Sequence, residues 1–168
     1  GLNELIIRES QDETIKGYAM DIKQAGNILM AMVSDILDFS KLEAGKLELA
    51  DGIYDISSLL NDLINGVSLG LRRKKLDLEL DVAEDIPYKL HGDEIRIRQI
   101  VSNLLSNAVK FTEKGKITLR VGWEETGEEE ILLKVAVQDT GIGIKEQDMP
   151  KLFGAFQRMD SITRSKSE

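Results

Sequence analysis

The sequence predicts an α+β fold: a two-layer α/β sandwich with one mixed, largely antiparallel sheet and helices on one face, preceded by a long helix of a four-helix bundle. Three observations lead there. Apolar residues recur at alternating spacings of three and four from Thr14 to Leu42. Later segments alternate apolar with polar residues, the period of a half-buried strand. Amphipathic helical stretches lie between those strands, and strands with one dry face want helices packed on it.

The first helix carries Ile15, Tyr18, Ile22, Ala25, Leu29, Met32, Ile36 and Phe39 as an unbroken heptad seam. Ala19, Gly26, Val33 and Leu37 form a second stripe beside it, broader than a two-stranded coil needs and suited to a bundle of four. The rival reading is a long helix docked on its own domain. Ser10 and Glu13 have the spacing of a capping box, and Gly45 is a natural stop. Leu2, Leu5 and Ile6 read as the last turns of a preceding antiparallel helix. The pattern divides the chain into 1–44 and 45–168.

After Gly45 an Asp55 cap opens a helix with Ile56, Leu59, Leu60, Leu63, Ile64 and Val67 inward. Leu76, Leu78, Leu80 and Val82 alternate with acidic residues as a strand. Asp93 caps a helix running to about Phe111, with Ile97, Ile100, Val101, Leu104, Leu105 and Ala108 on its core face. Ile117, Leu119 and Val121 mark another strand, an acidic loop spans Glu124 to Glu130, and a strand follows from Ile131 to Gln138. Short helices are expected after it.

Composition bounds the function classes. Hydrophobic residues make up 42% and charged residues 31%, enough to bury a core without a membrane span. With 22 Lys and Arg against 30 Asp and Glu, the net charge of −8 offers no attraction to nucleic acid or an anionic membrane. Cysteine is absent, which excludes disulfides and thiolate metal sites, and no signal peptide opens the chain. A cytoplasmic setting is expected for this region, while any membrane anchor would belong to a sensor part upstream.

Three motifs carry chemistry. Asn103, Asn107 and Lys110 project from one helical face. Amide oxygens suit Mg²⁺, which arrives with phosphate and water, and an ammonium neutralises phosphate charge. Two Asn and a Lys on a helix are more often a solvated face. Asp139-Thr140-Gly141-Ile142-Gly143-Ile144 follows a strand, so its carboxylate can accept a hydrogen bond from an adenine amino group. Guanine presents an acceptor there. Its glycines permit a sharp turn and a close backbone approach to a flat base. Asp-Thr-Gly also opens aspartic protease sites, but those enzymes pair two such carboxylates on all-β scaffolds. Leu152-Phe153-Gly154-Ala155-Phe156-Gln157-Arg158 sets two aromatics beside an Arg with a phosphate-binding fork. By itself it reads as a surface helix with buried phenylalanines.

In this order, N-x-x-x-N-A-x-K-F, D-T-G-I-G-I and L-F-x-x-F-x-R resemble the N box, first glycine box and F box of sensor histidine kinases. Gly1 to Leu5 resembles the stretch after the phosphoacceptor motif, and Asp38 to Gly45 the end of the second dimerisation helix. Gly92-Asp93 with Arg96-Ile97-Arg98-Gln99-Ile100 resembles the run into the N box. The resemblance implies the Bergerat (GHKL) fold, shared with gyrase, a heat-shock chaperone and mismatch-repair ATPases. It implies ATP and Mg²⁺ as ligands, with Mg²⁺ on Asn107 and Asn103 beside it near the triphosphate. Lys110 and Arg158 would meet phosphates, Phe111 the nucleotide and Asp139 the adenine, while Gly141, Ile142 and Gly143 shape the pocket.

The implied activity is protein-histidine kinase. The γ-phosphate would pass to a histidine on a dimerising hairpin, then to an aspartate in a response-regulator receiver domain. Residues 1–44 would belong to that hairpin and make the homodimer. Related hydrolysing ATPases carry a Glu at position 103 to activate water; an amide cannot act as a general base, so Asn103 favours transfer over hydrolysis. A hydrolysing conformational ATPase and a nucleotide-binding dimeric scaffold remain the alternatives. The resemblance puts the phosphoacceptor before Gly1 and the second glycine box after Glu168, so this region alone is expected not to phosphorylate itself. His91, the one histidine, reads as a turn or surface residue.

Overall fold

The computed structural model describes residues 1–151. They form two compact units, parted between Leu49 and Ala50.

In the first unit α1 (Leu2–Glu9) and α2 (Glu13–Glu43) make a helical hairpin. So short a link leaves two helices antiparallel. Asn3 Nδ2 donates to the Ala19 carbonyl at 2.7 Å, and Lys23 pairs with Glu4 at 3.2 Å. The capping box expected of Ser10 and Glu13 is replaced. Asp12 is the cap, accepting from the Thr14 and Ile15 N–H groups at 2.8 and 3.3 Å, while Ser10 ends α1. Asp12 adjoins the first helical residue, and its charge also complements the helix dipole, so it wins over a hydroxyl further back. Gly45, at φ 64, stops α2 as expected: its N–H reaches the Leu42 carbonyl at 3.0 Å and that of Lys46 the Lys41 carbonyl at 2.8 Å. Ala19 is buried, whereas Tyr18, Ile22, Leu29, Met32 and Ile36 of the seam stand exposed.

The second unit runs β1 (Gly52–Asp55), α3 (Ile56–Lys74), β2 (Asp77–Val82), β3 (Lys89–Gly92), α4 (Glu94–Phe111), β4 (Lys116–Glu125), β5 (Ile131–Asp139) and a 3₁₀ turn, Glu146–Lys151. β2 pairs parallel with β4, and β4 antiparallel with β5. β1 and β3 pair antiparallel as a separate ladder. The expectation of one sheet is therefore corrected to two among the described residues, although the pairing is mixed and largely antiparallel. After β2 the Ala83 N–H still reaches the Val121 carbonyl at 2.9 Å, but Pro87 has no N–H with which to extend a ladder.

Helices cover one face. α3 supplies Leu59, Leu63 and Leu71, α4 supplies Val101, Leu105 and Ala108, and β4 supplies Ile117, Leu119 and Val121, all buried. Each large side chain among them stabilises by roughly 1.5–3 kcal/mol. On β5, Leu133, Val135 and Val137 pack against this core while Leu132, Lys134 and Ala136 face out, the period of two that the sequence shows. Three residues depart from their expected burial. Leu80 is 51% exposed because β2 is an edge strand, and Ile100 and Leu104 of α4 are exposed because the core takes only the 101–105–108 stripe.

Candidate functional site

α4 is divided by burial. Val101, Leu105 and Ala108 face the core, so Asn103, Asn107 and Lys110 fall on the exposed side. Asp93 fixes the start of the helix, accepting from the N–H groups of Ala50 at 2.9 Å and Arg96 at 3.0 Å. Those two bonds hold its carboxyl below the usual carboxylate range. At the other end the Lys110 ammonium lies 5.0 Å from the centre of the Phe111 ring, a cation–π distance. The structure thus groups Asn103, Asn107, Lys110 and Phe111 along one side and one end of a single helix.

The glycine-containing loop is tied to that same end. Asp139 is the last residue of β5, opposite Ile117 in the ladder. Its Oδ1 accepts from the Gly141 N–H at 2.8 Å and from the Thr112 hydroxyl at 3.4 Å, and Thr112 is fully buried directly after α4. The Ile142 N–H donates to the Phe111 carbonyl at 3.3 Å. Glycine is required at 141, since a Cβ there would sit 2.5 Å from the Phe111 carbonyl oxygen. Gly143 has φ 66, which favours glycine, and Ile142 between them is 68% exposed. Thr140 holds the loop from the other side, its hydroxyl accepting from the Lys116 N–H at 3.0 Å. Arg158 and the rest of the Leu152–Asp160 motif lie outside the described residues.

The arrangement suits a purine nucleotide. One oxygen of Asp139 is committed to Gly141 and Thr112, and Oδ2 has no partner among the described residues, so it can accept from an exocyclic amine. The carboxamides of Asn103 and Asn107 likewise have no hydrogen-bonding partner among the described residues and are exposed, as ligands to phosphate or a hard cation must be.

Residues 92–168 match the family described as histidine kinase-, DNA gyrase B-, and HSP90-like ATPase. Over 165 residues, 98% of this chain and 18% of the relative, the chain is 37% identical to the signal transduction histidine-protein kinase BarA of Escherichia coli K12. Over 144 residues, 86% of this chain and 16% of the relative, it is 42% identical to the sensor protein GacS of Pseudomonas syringae. Residues 92–168 thus carry the ATPase domain of that family, and the chain is homologous to sensor histidine kinases. Among solved structures, full-length ShkA in complex with AMPPNP superposes with a TM-score of 0.67 at 28% identity, covering 88% of this chain and 31% of that one. The chain spans less than a fifth of the curated relatives named here. No described helix is long and apolar enough to cross a membrane.

Two residues at the candidate site escape the sequence motifs. Thr112 is a polar side chain buried beneath Asp139, signalled only by its place after Phe111. Lys74, in the last turn of α3, reaches across to the end of α4. It follows Arg72 and Arg73, and a basic last turn is an ordinary helix ending that gives no hint of a distant partner.

Proposed function

We propose that this chain is the ATP-binding catalytic region of a protein-histidine kinase. The observation that supports the reading is the junction of α4 with the Asp139–Gly143 loop, where the Asp139 carboxylate meets the end of a helix faced with Asn103, Asn107 and Lys110. Asp139 would accept from the adenine amino group, with Gly141, Ile142 and Gly143 against the base and Phe111 alongside. Asn107 would ligate Mg²⁺ through its carboxamide oxygen with Asn103 next to it, and Lys110 and Arg158 would bind phosphates. Mg²⁺, when bound, supplies neutralisation of the triphosphate charge. Homology to the ShkA chain, solved with AMPPNP, supports an adenine nucleotide as ligand.

The chemistry would be displacement at the γ-phosphorus. An imidazole nitrogen forms the N–P bond as the bridging P–O bond breaks and ADP leaves. Asn103 supports this over hydrolysis, because its amide cannot take a proton from water. The acceptor imidazole would stand on a hairpin to which α1 and α2 belong, in a homodimer formed through the exposed α2 seam, with relay to a response-regulator receiver aspartate. The kinship with sensor proteins supports that relay.

Calorimetry with ADP and GDP tests the pocket. A charge-assisted hydrogen bond is worth about 1.5–3 kcal/mol, so Asp139→Asn should weaken ADP binding by roughly ten- to a hundredfold. Equal ADP affinity in the variant, or equal affinity of the wild type for GDP, would overturn the assignment.

A further inference from the structure

An α-helix leaves its last four carbonyls without partners in the helix. At the end of α4 all four are taken. Ala108 accepts from the Thr112 N–H at 3.0 Å, Phe111 from the Ile142 N–H at 3.3 Å, and Val109 and Lys110 each from Lys74 Nζ at 2.9 Å. The Lys74 ammonium also reaches the Thr112 carbonyl at 3.1 Å and Glu113 at 3.0 Å, and its side chain is only 18% exposed. Lysine at a helix end ordinarily carries its charge out to water. Here α3 spends it on the terminus of a neighbouring helix.

The clamped segment is the one that holds the glycine loop. Phe111 and Thr112 lie within it, and they bind Ile142 and Asp139 respectively. The contact has no slack, because the Gly141 Cα already lies where an added Cβ would strike the Phe111 carbonyl. If the last turn of α4 frays, the supports of Asp139 and Ile142 move with it. We propose that Lys74 is a positioning residue of the nucleotide site, holding the end of α4 so that the Asp139 loop is preset to receive the base. The inference rests on the nucleotide reading above and adds to it a residue outside the recognised motifs.

The full chain is compared with Lys74→Met, which keeps the stem and removes the donors, and Lys74→Arg, which keeps a charged donor. Lys74→Gln is measured beside them in case Lys74→Met does not fold. ADP and GDP affinities are taken by calorimetry where each variant is folded, and amide exchange of Gly141, Ile142 and Leu119 by NMR. Lys74→Met should weaken ADP binding about tenfold, the scale of one lost charge-assisted hydrogen bond, narrow the ADP-over-GDP ratio, and hasten exchange at Ile142 but not at Leu119. Lys74→Arg should restore most of each. A purely structural role would weaken both nucleotides alike and hasten exchange at Leu119 in β4 as well; that result, or an unchanged ratio with unchanged Ile142 exchange, overturns the proposal. Should the wild type bind neither nucleotide, the nucleotide reading fails and the positioning role of Lys74 is overturned with it, whereas binding by the wild type with unchanged Ile142 exchange in Lys74→Met overturns the role of Lys74 alone.

Discussion

At the scale of single residues, two backbone positions show how closely the local chemistry is matched to its task. Lys75, which ends α3, has φ 54, a left-handed conformation that disfavours a side chain. Lys75→Gly should raise unfolding stability by about 1 kcal/mol, since glycine adopts that conformation freely, read as a higher urea midpoint; a lower midpoint would contradict the account. Gly141 is the opposite case. Gly141→Ala puts a methyl 2.5 Å from the Phe111 carbonyl and 2.7 Å from Asp139 Oδ1. The loop must give way, and ADP binding should be lost even where the fold survives in circular dichroism. The Gly141 requirement can be expected from a D-T-G-I-G-I string; the Lys75 conformation cannot, because nothing in a basic run distinguishes the residue that turns left-handed.

At the scale of elements, α3, α4, β4 and β5 were legible because each buries one face and so imprints its period on the sequence. β1 and β3 were not. With four residues each, they show too little alternation to stand out, and Tyr54 and Leu90, opposite each other in a ladder of distant segments, are buried in the core cluster. The site divided along the same line. Asn103, Asn107, Lys110 and Asp139 form spaced motifs, whereas Thr112 and Lys74 come to the candidate site through contacts between elements that no spacing records. α2 presents its own test. Ile22, Leu29 and Ile36 are 62%, 62% and 48% exposed along the seam, and each buried would contribute roughly 1.5–3 kcal/mol. Sedimentation of the chain should show concentration-dependent association that Leu29→Lys abolishes. A wild-type chain that stays monomeric at high concentration would remove the seam as a dimer surface.

At the scale of the molecule, carboxylates tie segments together and so make stability depend on acid. Asp93 is held below its usual range by the Ala50 and Arg96 N–H groups, Asp55 by the Tyr88 hydroxyl and the Ser58 N–H, and Glu79 by Lys116. In each the folded pKa is depressed, so the unfolded chain takes up protons first as pH falls. The stability they contribute is complete above the ordinary values of 3.8 for Asp and 4.5 for Glu and is lost as pH drops through the folded ones. Urea midpoints should be flat from pH 7 to about 5 and fall below that, and Asp93→Asn should lower the plateau and soften the fall. The other whole-molecule expectation concerns His91. It is exposed on β3, beyond the start of α4 from Asn107, and α4 from Asp93 to Asn107 spans some 20 Å at about 1.5 Å per residue. Incubation with γ-labelled ATP should leave His91 unlabelled; label there, abolished by His91→Gln, would overturn the geometry.

The β4–β5 hairpin also sorts charge along its length. Its turn carries Glu124, Glu125 and Glu128 to Glu130, while its open end carries Lys116 and Asp139. Strands of nine residues at about 3.4 Å each separate those ends by roughly 27 Å. Electrostatic screening acts over about 8 Å at physiological ionic strength but about 30 Å in 10 mM salt. A triphosphate approaching the proposed site at Asp139 would therefore be blind to the acidic turn in ordinary buffer and repelled by it in dilute buffer. Association rates from stopped flow should accordingly rise in dilute buffer when Glu128, Glu129 and Glu130 are changed to Gln, and stay the same at physiological salt. Distance alone holds these five glutamates away from Asp139.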